Sequence, residues 1–132
     1  MVAYSFQARF CEPIDLGTKG GTIRNGRKRH ARPGEEMQLY TAMRTKHCRL
    51  VARKTCLSTE PIELTFGVRP FFMLPSHPRK QAWWSSVARD AFAIFDGFRA
   101  WDEMEAFWRE THSAREFKGV HIRWLPLPKD LL

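Results

Sequence analysis

Long apolar runs are missing from this chain. None of its 132 residues lies in a stretch approaching the ~20 that a membrane-spanning helix needs. Cysteine is scarce: Cys11, Cys48 and Cys56 are an odd set without a CxxC spacing. That argues against a disulfide scaffold or structural zinc and makes a reducing cytoplasm the default expectation. The N-terminal stretch Met1–Phe10 has no basic head, unlike a secretory signal. The GxxxxGK[ST] order of a phosphate-binding loop is absent, as are HxxxH and HExxH. A nucleoside-triphosphate cradle and a metal site therefore have little support, and no metal or cofactor is expected. No recognisable serine-nucleophile elbow occurs.

Acidic residues are thin over one part of the chain. From Lys19 to Lys54 eleven Lys and Arg face only Glu35 and Glu36, a local balance of +9 within a total of +8. Asp90–Glu116 carries seven acids against three Arg, a balance of −4. Segregation of this kind steers an anion to one face. By itself it does not choose between nucleic acid, a nucleotide and a surface charged only for solubility.

Aromatic residues are plentiful, with 10 Phe and 5 Trp, enough for a real core. Val2, Tyr4, Phe6, Ala8 and Phe10 alternate with more polar residues, which predicts a half-buried strand. Glu12–Gly17 reads as one helical turn, with Pro13 at its start and Gly17 after its end. Further strands are expected at Gly20–Arg24, Met37–Thr41, Cys48–Cys56, Ile62–Phe66 and Val120–Trp124. In the fourth, Cys48, Leu50, Ala52 and Cys56 share an apolar face and make buried thiols of the two cysteines. Phe71–Pro78 reads as an irregular insertion. Trp84, Val87, Ala88, Ala91, Phe92 and Phe95 then repeat with helical spacing until Gly97. A second helix presents Trp101, Met104, Phe107, Trp108 and Thr111. The rings of both helices are expected to be core. Several strands with turns between them, followed by helices, predict an α+β chain with a closed sheet rather than βαβ units.

The stretch richest in chemistry is Gly17-Thr18-Lys19-Gly20-Gly21-Thr22-Ile23-Arg24. Glycines let the backbone approach a ligand. Lys19 and Arg24 can hold an anion, Lys19 can serve as a base if desolvated, and Thr22 can act as a nucleophile beside a base. The plain alternative is a glycine turn with one exposed Lys. Among the other candidates, Tyr40 either stacks on a base or closes the edge of the core. His47 and Cys48 are strand neighbours and point apart.

Phe6-Gln7-Ala8-Arg9-Phe10, Pro13-Ile14, the GTKxxTIR string from Gly17 to Arg24, and Pro33-Gly34-Glu35 followed by Leu39-Tyr40 together resemble the ASCH domain. The likeness continues through Asp96-Gly97-Phe98, the helix Trp101–Trp108 and a last strand at Val120–Trp124, so a single domain would occupy residues 1–132. The resemblance implies a PUA-like closed β-barrel of five to six strands with two to three flanking helices. It implies RNA or a modified cytidine nucleoside as partner.

One branch of small ASCH proteins removes the acyl group from N4-acetylcytidine using a Lys, a Thr and a Glu. Carried over, these imply Lys19, Thr22 and, one methylene shorter, Asp96, with Glu60 and Glu63 as the other acids to consider. The same reading gives Gly20, Gly21, Arg24 and Tyr40 to the substrate and its oxyanion. The second expectation is an RNA-binding module, with or without ribonuclease activity, in which Arg27, Lys28, Arg29, Arg32, Arg49 and Arg53 follow the phosphates.

Overall fold

The computed structural model describes residues 1–26, 29–77, 84–113 and 115–131. Among them the chain is α+β, with seven strands in two sheets and three α-helices. In chain order these are β1 (Val2–Phe6), α1 (Cys11–Leu16), β2 (Gly21–Arg24), β3 (Glu36–Thr41), β4 (Arg49–Thr55), β5 (Ser58–Thr65), β6 (Phe71–Met73), α2 (Ser86–Phe95), α3 (Trp101–His112) and β7 (Glu116–Arg123). No helix among the described residues is long and apolar enough to cross a membrane.

The first sheet has the order β1-β3-β4, with β1 parallel to β3 and β4 antiparallel to it. Period-2 alternation turns Val2, Tyr4 and Phe6 inward with Met37 and Leu39. The second sheet has the order β2-β7-β5-β6 and is antiparallel throughout. One run, Arg49 to Thr65, serves both sheets and changes partners at a corner. There the Cys56 N–H donates to the Glu35 carbonyl at 2.9 Å and the Leu57 N–H to the Arg123 carbonyl at 2.8 Å.

Helices α2 and α3 supply the apolar stripes that complete the core. Phe92 stacks on Phe72 of β6 with ring centroids 4.5 Å apart, and Trp101, Met104 and Trp108 are buried. Full burial of such a side chain is worth roughly 1.5–3 kcal/mol. The start of α3 has no side-chain cap of its own. Asp90 of α2 accepts the Trp101 N–H at 3.0 Å instead, placing a carboxylate where the helix dipole favours one.

Four expectations need correction. The first strand stops at Phe6, because Ala8–Phe10 closes a 3-10 turn that feeds α1. Phe71–Met73, within the expected irregular insertion, is a seventh strand, since pairing with Glu63–Thr65 lets Phe72 be buried. Helix α2 starts at Ser86, leaving Trp84 outside it and Val87 exposed, so only Ala88, Phe92 and Phe95 of that stripe are buried. Cys48 lies before β4 and is exposed, whereas Cys56 is buried at the corner. β4 is an edge strand whose ladder slips between Leu39 and Tyr40, which breaks the single-face alternation assumed for it. The expected basic loop falls partly outside the described residues, at Arg27 and Lys28, as does the segment 78–83.

Between α1 and β2 the chain is fastened at every residue. Thr18 and Lys19 donate their N–H groups to the Pro13 carbonyl at 3.1 and 3.0 Å. The Gly20 N–H donates to the Phe95 carbonyl at 2.9 Å, and the Gly20 carbonyl accepts from Trp124 N–H at 2.8 Å. A Cβ on Gly20 would sit 2.5 Å from Phe95 Cε1 and 2.7 Å from Leu125 Cβ. Gly20→Ala is therefore expected to lower the unfolding free energy by roughly 1–3 kcal/mol, the usual cost of overpacking. Urea titration would show it as a lower midpoint at unchanged slope.

Candidate active site

A cavity of about 290 Å³ opens between β1, β2 and the two longer helices. Its polar end holds Lys19, Thr22, Arg24 and Asp96. These residues come from two distant parts of the chain, and each is aimed by a local device.

Lys19 lies one residue before the Gly20 staple and is almost fully buried. Its Nζ donates to the main-chain carbonyl of Asp96, lies 3.7 Å from Asp96 Oδ1 and 4.8 Å from the centre of the Phe10 ring. Asp96 closes α2 in a Schellman motif. The Phe98 N–H reaches the Ala93 carbonyl at 2.9 Å, the Gly97 N–H reaches Ile94, and Gly97 has φ +104°. A Cβ at Gly97 would also meet Lys19 Cδ at 2.8 Å, so the turn needs glycine both for its backbone angle and for the passage of the lysine stem. The Asp96 side chain does not cap the helix. It turns into the cavity, where Oδ1 has no hydrogen-bond donor among the described residues.

Burial dominates the electrostatics of this pair. Desolvation pushes Lys19 down to about 8, with Arg24 helping and Asp96 opposing. Desolvation raises Asp96 to about 6 against the pull of Lys19 and Arg24. Thr22, on β2 opposite Ile122, is buried and accepts a 3.2 Å hydrogen bond from Arg24 Nε. Arg24 is itself fixed by the Ser5 carbonyl at 2.8 Å and lies over the Phe6 ring. In this resting arrangement Lys19 donates to Asp96 rather than to Thr22.

Much of the remaining cavity lining is aromatic, and it begins beside Lys19 at Phe10. Phe10, Phe98 and Phe107 meet one another with centroids 5.2–5.5 Å apart, and Trp108 and Phe117 extend that wall. Arg9 covers the three phenylalanines from outside and pairs with Glu103 at 2.6 Å. The helix rings expected to be core therefore have two roles: Phe107 and Trp108 pack, and they also line the cavity. Periodicity cannot separate those roles. Nothing in the sequence marks His121 either. It is fully buried against Phe92 and Phe95, with neither ring nitrogen hydrogen-bonded among the described residues. Burial first, then the charges of Arg123 and Lys19, hold it neutral, near 3. A Cβ on Gly21 would come within 2.6 Å of its Nε2, so Gly21 makes room for an imidazole.

The other sequence candidates lie elsewhere. The Gly20 N–H is committed to Phe95 and cannot serve an oxyanion. Gly21 sits in the β2–β7 ladder. Tyr40 donates to Gln38 Oε1 at 2.8 Å and does not line the cavity. Glu60 is taken by Arg123 at 2.9 Å and by Ser76, and Glu63 is 3.6 Å from Lys118. Of the three acids considered, only Asp96 reaches the cavity. Arg29 pairs with Glu35. Arg32 is exposed, as are Arg49 and Arg53 on β4. Among the described residues no group of three or more His, Cys, Asp or Glu side chains is placed to hold a metal.

The two shifts have opposite signs in their effect on stability. Asp96 is raised, so its contribution is present below its unfolded value near 3.8 and lost as pH rises through about 6. Lys19 is lowered, so its contribution is present above 10.5 and lost as pH falls through about 8. The pair therefore costs most between pH 6 and 8. Subtracting the stability–pH curve of Lys19→Met/Asp96→Asn from that of the parent should leave a trough in that window, with both limbs rising. A flat difference curve would mean that the pair is solvated.

No protein-family model, curated protein or solved structure matches this chain, so its assignment rests on the geometry of this cavity.

Proposed function

We propose that the chain is an amidohydrolase that removes the acyl group from N4-acetylcytidine or a related acylated cytidine nucleoside. The observation that carries this reading is the convergence of Lys19, Thr22 and Asp96, from separate elements, on one cavity whose lining is otherwise largely aromatic. The resemblance to the ASCH domain points the same way. So does the architecture: a closed PUA-like barrel is supported by the shared corner at Cys56-Leu57 and by Arg24 reaching across from β2 to Ser5 of β1.

In this reading the cytosine ring packs among the aromatic side chains and the exocyclic amide lies at the polar end. Arg24 donates to Thr22 Oγ1 and cannot accept, so the hydroxyl proton of Thr22 remains available for transfer to a base. Neutral Lys19 Nζ takes that proton as Oγ1 bonds to the acyl carbon. Negative charge moves to the acyl oxygen, and the Arg24 guanidinium beside Oγ1 is placed to stabilise it. The C–N bond then breaks and the Lys19 ammonium protonates the departing N4, leaving cytidine and an acyl ester on Thr22. Water attacks the ester, gives its proton to Lys19, and Lys19 returns one to Oγ1 as the carboxylic acid leaves. Asp96 holds the ammonium in place between the two transfers.

Acetate release from N4-acetylcytidine tests this directly. Thr22→Val removes the nucleophile at nearly constant shape and should abolish turnover. Lys19→Met and Asp96→Asn should each cost about 10²-fold or more. For the parent, kcat/KM should rise with pH and level off near 8, because only neutral Lys19 is a base. Unchanged turnover in Thr22→Val would sink the covalent route, and a rate falling between pH 6 and 8 would remove Lys19 as base.

A further inference from the structure

Proton transfer is one use for Lys19, and the cavity also equips it to form a bond. A lysine amine becomes nucleophilic towards carbonyl carbon when it is desolvated among apolar groups or set beside another cation. Lys19 meets both conditions. Its Nζ lies 4.8 Å from the centre of the Phe10 ring and 5.5 Å from that of Phe6, and Arg24 lines the same end of the cavity. Burial first, then Arg24, favour the uncharged amine against the pull of Asp96. In that form Nζ keeps one N–H on the Asp96 carbonyl and has a second N–H and a lone pair for whatever enters.

Asp96 supplies a function that the hydrolytic route leaves idle. An ionised carboxylate is enough to hold an ammonium, yet burial raises Asp96 towards its protonated form. Its Oδ1 lies 3.7 Å from Nζ and has no hydrogen-bond donor among the described residues. An amine beside a carboxylic acid is the pair needed to turn a carbonyl compound into an imine, because the intermediate loses water readily only when its hydroxyl is protonated.

The lining selects the carbonyl compound. A cavity of about 290 Å³ walled by Phe10, Phe98, Phe107 and Phe117 suits a flat ring better than an alkyl chain.

We propose that the cavity is a reversible covalent site for aromatic aldehydes, which Lys19 captures as an imine with Arg24 and Asp96 assisting. Nζ adds to the carbonyl carbon as the π pair moves to oxygen, where the Arg24 guanidinium stabilises the charge. A proton passes from the nitrogen to that oxygen and gives a carbinolamine. The Asp96 carboxyl protonates the hydroxyl, the C–O bond breaks and water leaves. The nitrogen lone pair completes the C=N bond, so a protonated imine faces the Asp96 carboxylate where the ammonium stood. Nothing is oxidised or reduced, and water releases the aldehyde by the same steps in reverse. The site shares its amine with the amidohydrolase reading but does not rest on it, since Thr22 takes no part.

The test incubates the full chain with benzaldehyde in excess cyanoborohydride, so that imine formation limits the rate. The reagent adds hydride to the imine carbon and leaves a stable benzylamine, which peptide mass spectrometry locates. Lys19 should be labelled at least tenfold faster than Lys46 and Lys118, which are exposed. That comparison is made within one molecule and needs no variant. Butanal, which lacks a ring, should show no such preference. Asp96→Asn should slow labelling at Lys19 about tenfold or more, with Lys46, Lys118 and the melting temperature unchanged. The sign matters here: loss of a mere counter-ion would free the neutral amine and speed labelling.

Labelling of Lys19 no faster than that of the exposed lysines would overturn the site. Faster labelling in Asp96→Asn would overturn the role of Asp96 as acid, and equal preference with butanal would overturn the choice of an aromatic aldehyde. Acetate release from N4-acetylcytidine is followed on the same preparation. Preferential labelling without acetate release would leave the carbonyl site and remove the hydrolase. Acetate release without preferential labelling would do the reverse.

Discussion

Keeping an ammonium group out of water is the constraint on which this site is built. An isolated buried charge is not tolerated at neutral pH, and Lys19 is buried with one carboxylate, one carbonyl and two aromatic rings for company. Each companion fixes a piece of the fold. The carbonyl and carboxylate both belong to Asp96, so α2 must end where it does. The rings of Phe6 and Phe10 come from β1 and the 3-10 turn after it, so the N-terminal strand must stop before Phe10. The stem passes over Gly97, which must therefore lack a side chain. A carboxylate at a helix C-terminus is opposed by the helix dipole, and Asp96 stays there because Lys19 faces it.

Much of this is legible from residue order. Gly17 reads as a helix stop, and it adopts φ +79° at the end of α1. Gly97 reads as the break between two amphipathic helices. The strings that place Lys19, Thr22 and Arg24 together, and Asp96 at a bend, lead to residues that do share a cavity. What residue order hides is long-range. Nothing local tells that the Gly20 N–H is taken by Phe95, that Gly21 makes room for His121, or that Phe98 and Phe107 line a cavity as well as a core. The edge position of β4 is hidden too, because alternation does not reveal which strand lacks a second neighbour or where a ladder slips. Phe71–Met73 is obscured between prolines: three residues are too few for a period to show.

The two sheets divide the work. The second carries α2 and α3 and buries most of the large side chains, whereas the first keeps one face bare and carries the cations of β4. The cavity lies between them, so an apolar environment that perturbs Lys19 and Asp96 adjoins a surface rich in cations. That arrangement explains how a chain with a net charge of +8 can still desolvate a lysine. The basic residues lie on the thin, wet side, and the acids of α3 balance arginines on the other.

β7 is the inner strand between β2 and β5, yet it follows both by a long stretch of chain. While the polypeptide is being synthesised, β2 and β5 wait with open edges until Glu116–Arg123 emerges to zip between them. Thr22 then gains Ile122 as its neighbour in the ladder, and the Leu57 corner gains its acceptor on Arg123. The pocket thus cannot be complete before β7 has been made, and until then the two waiting edges leave the nascent chain open to aberrant pairing or to capture by a chaperone.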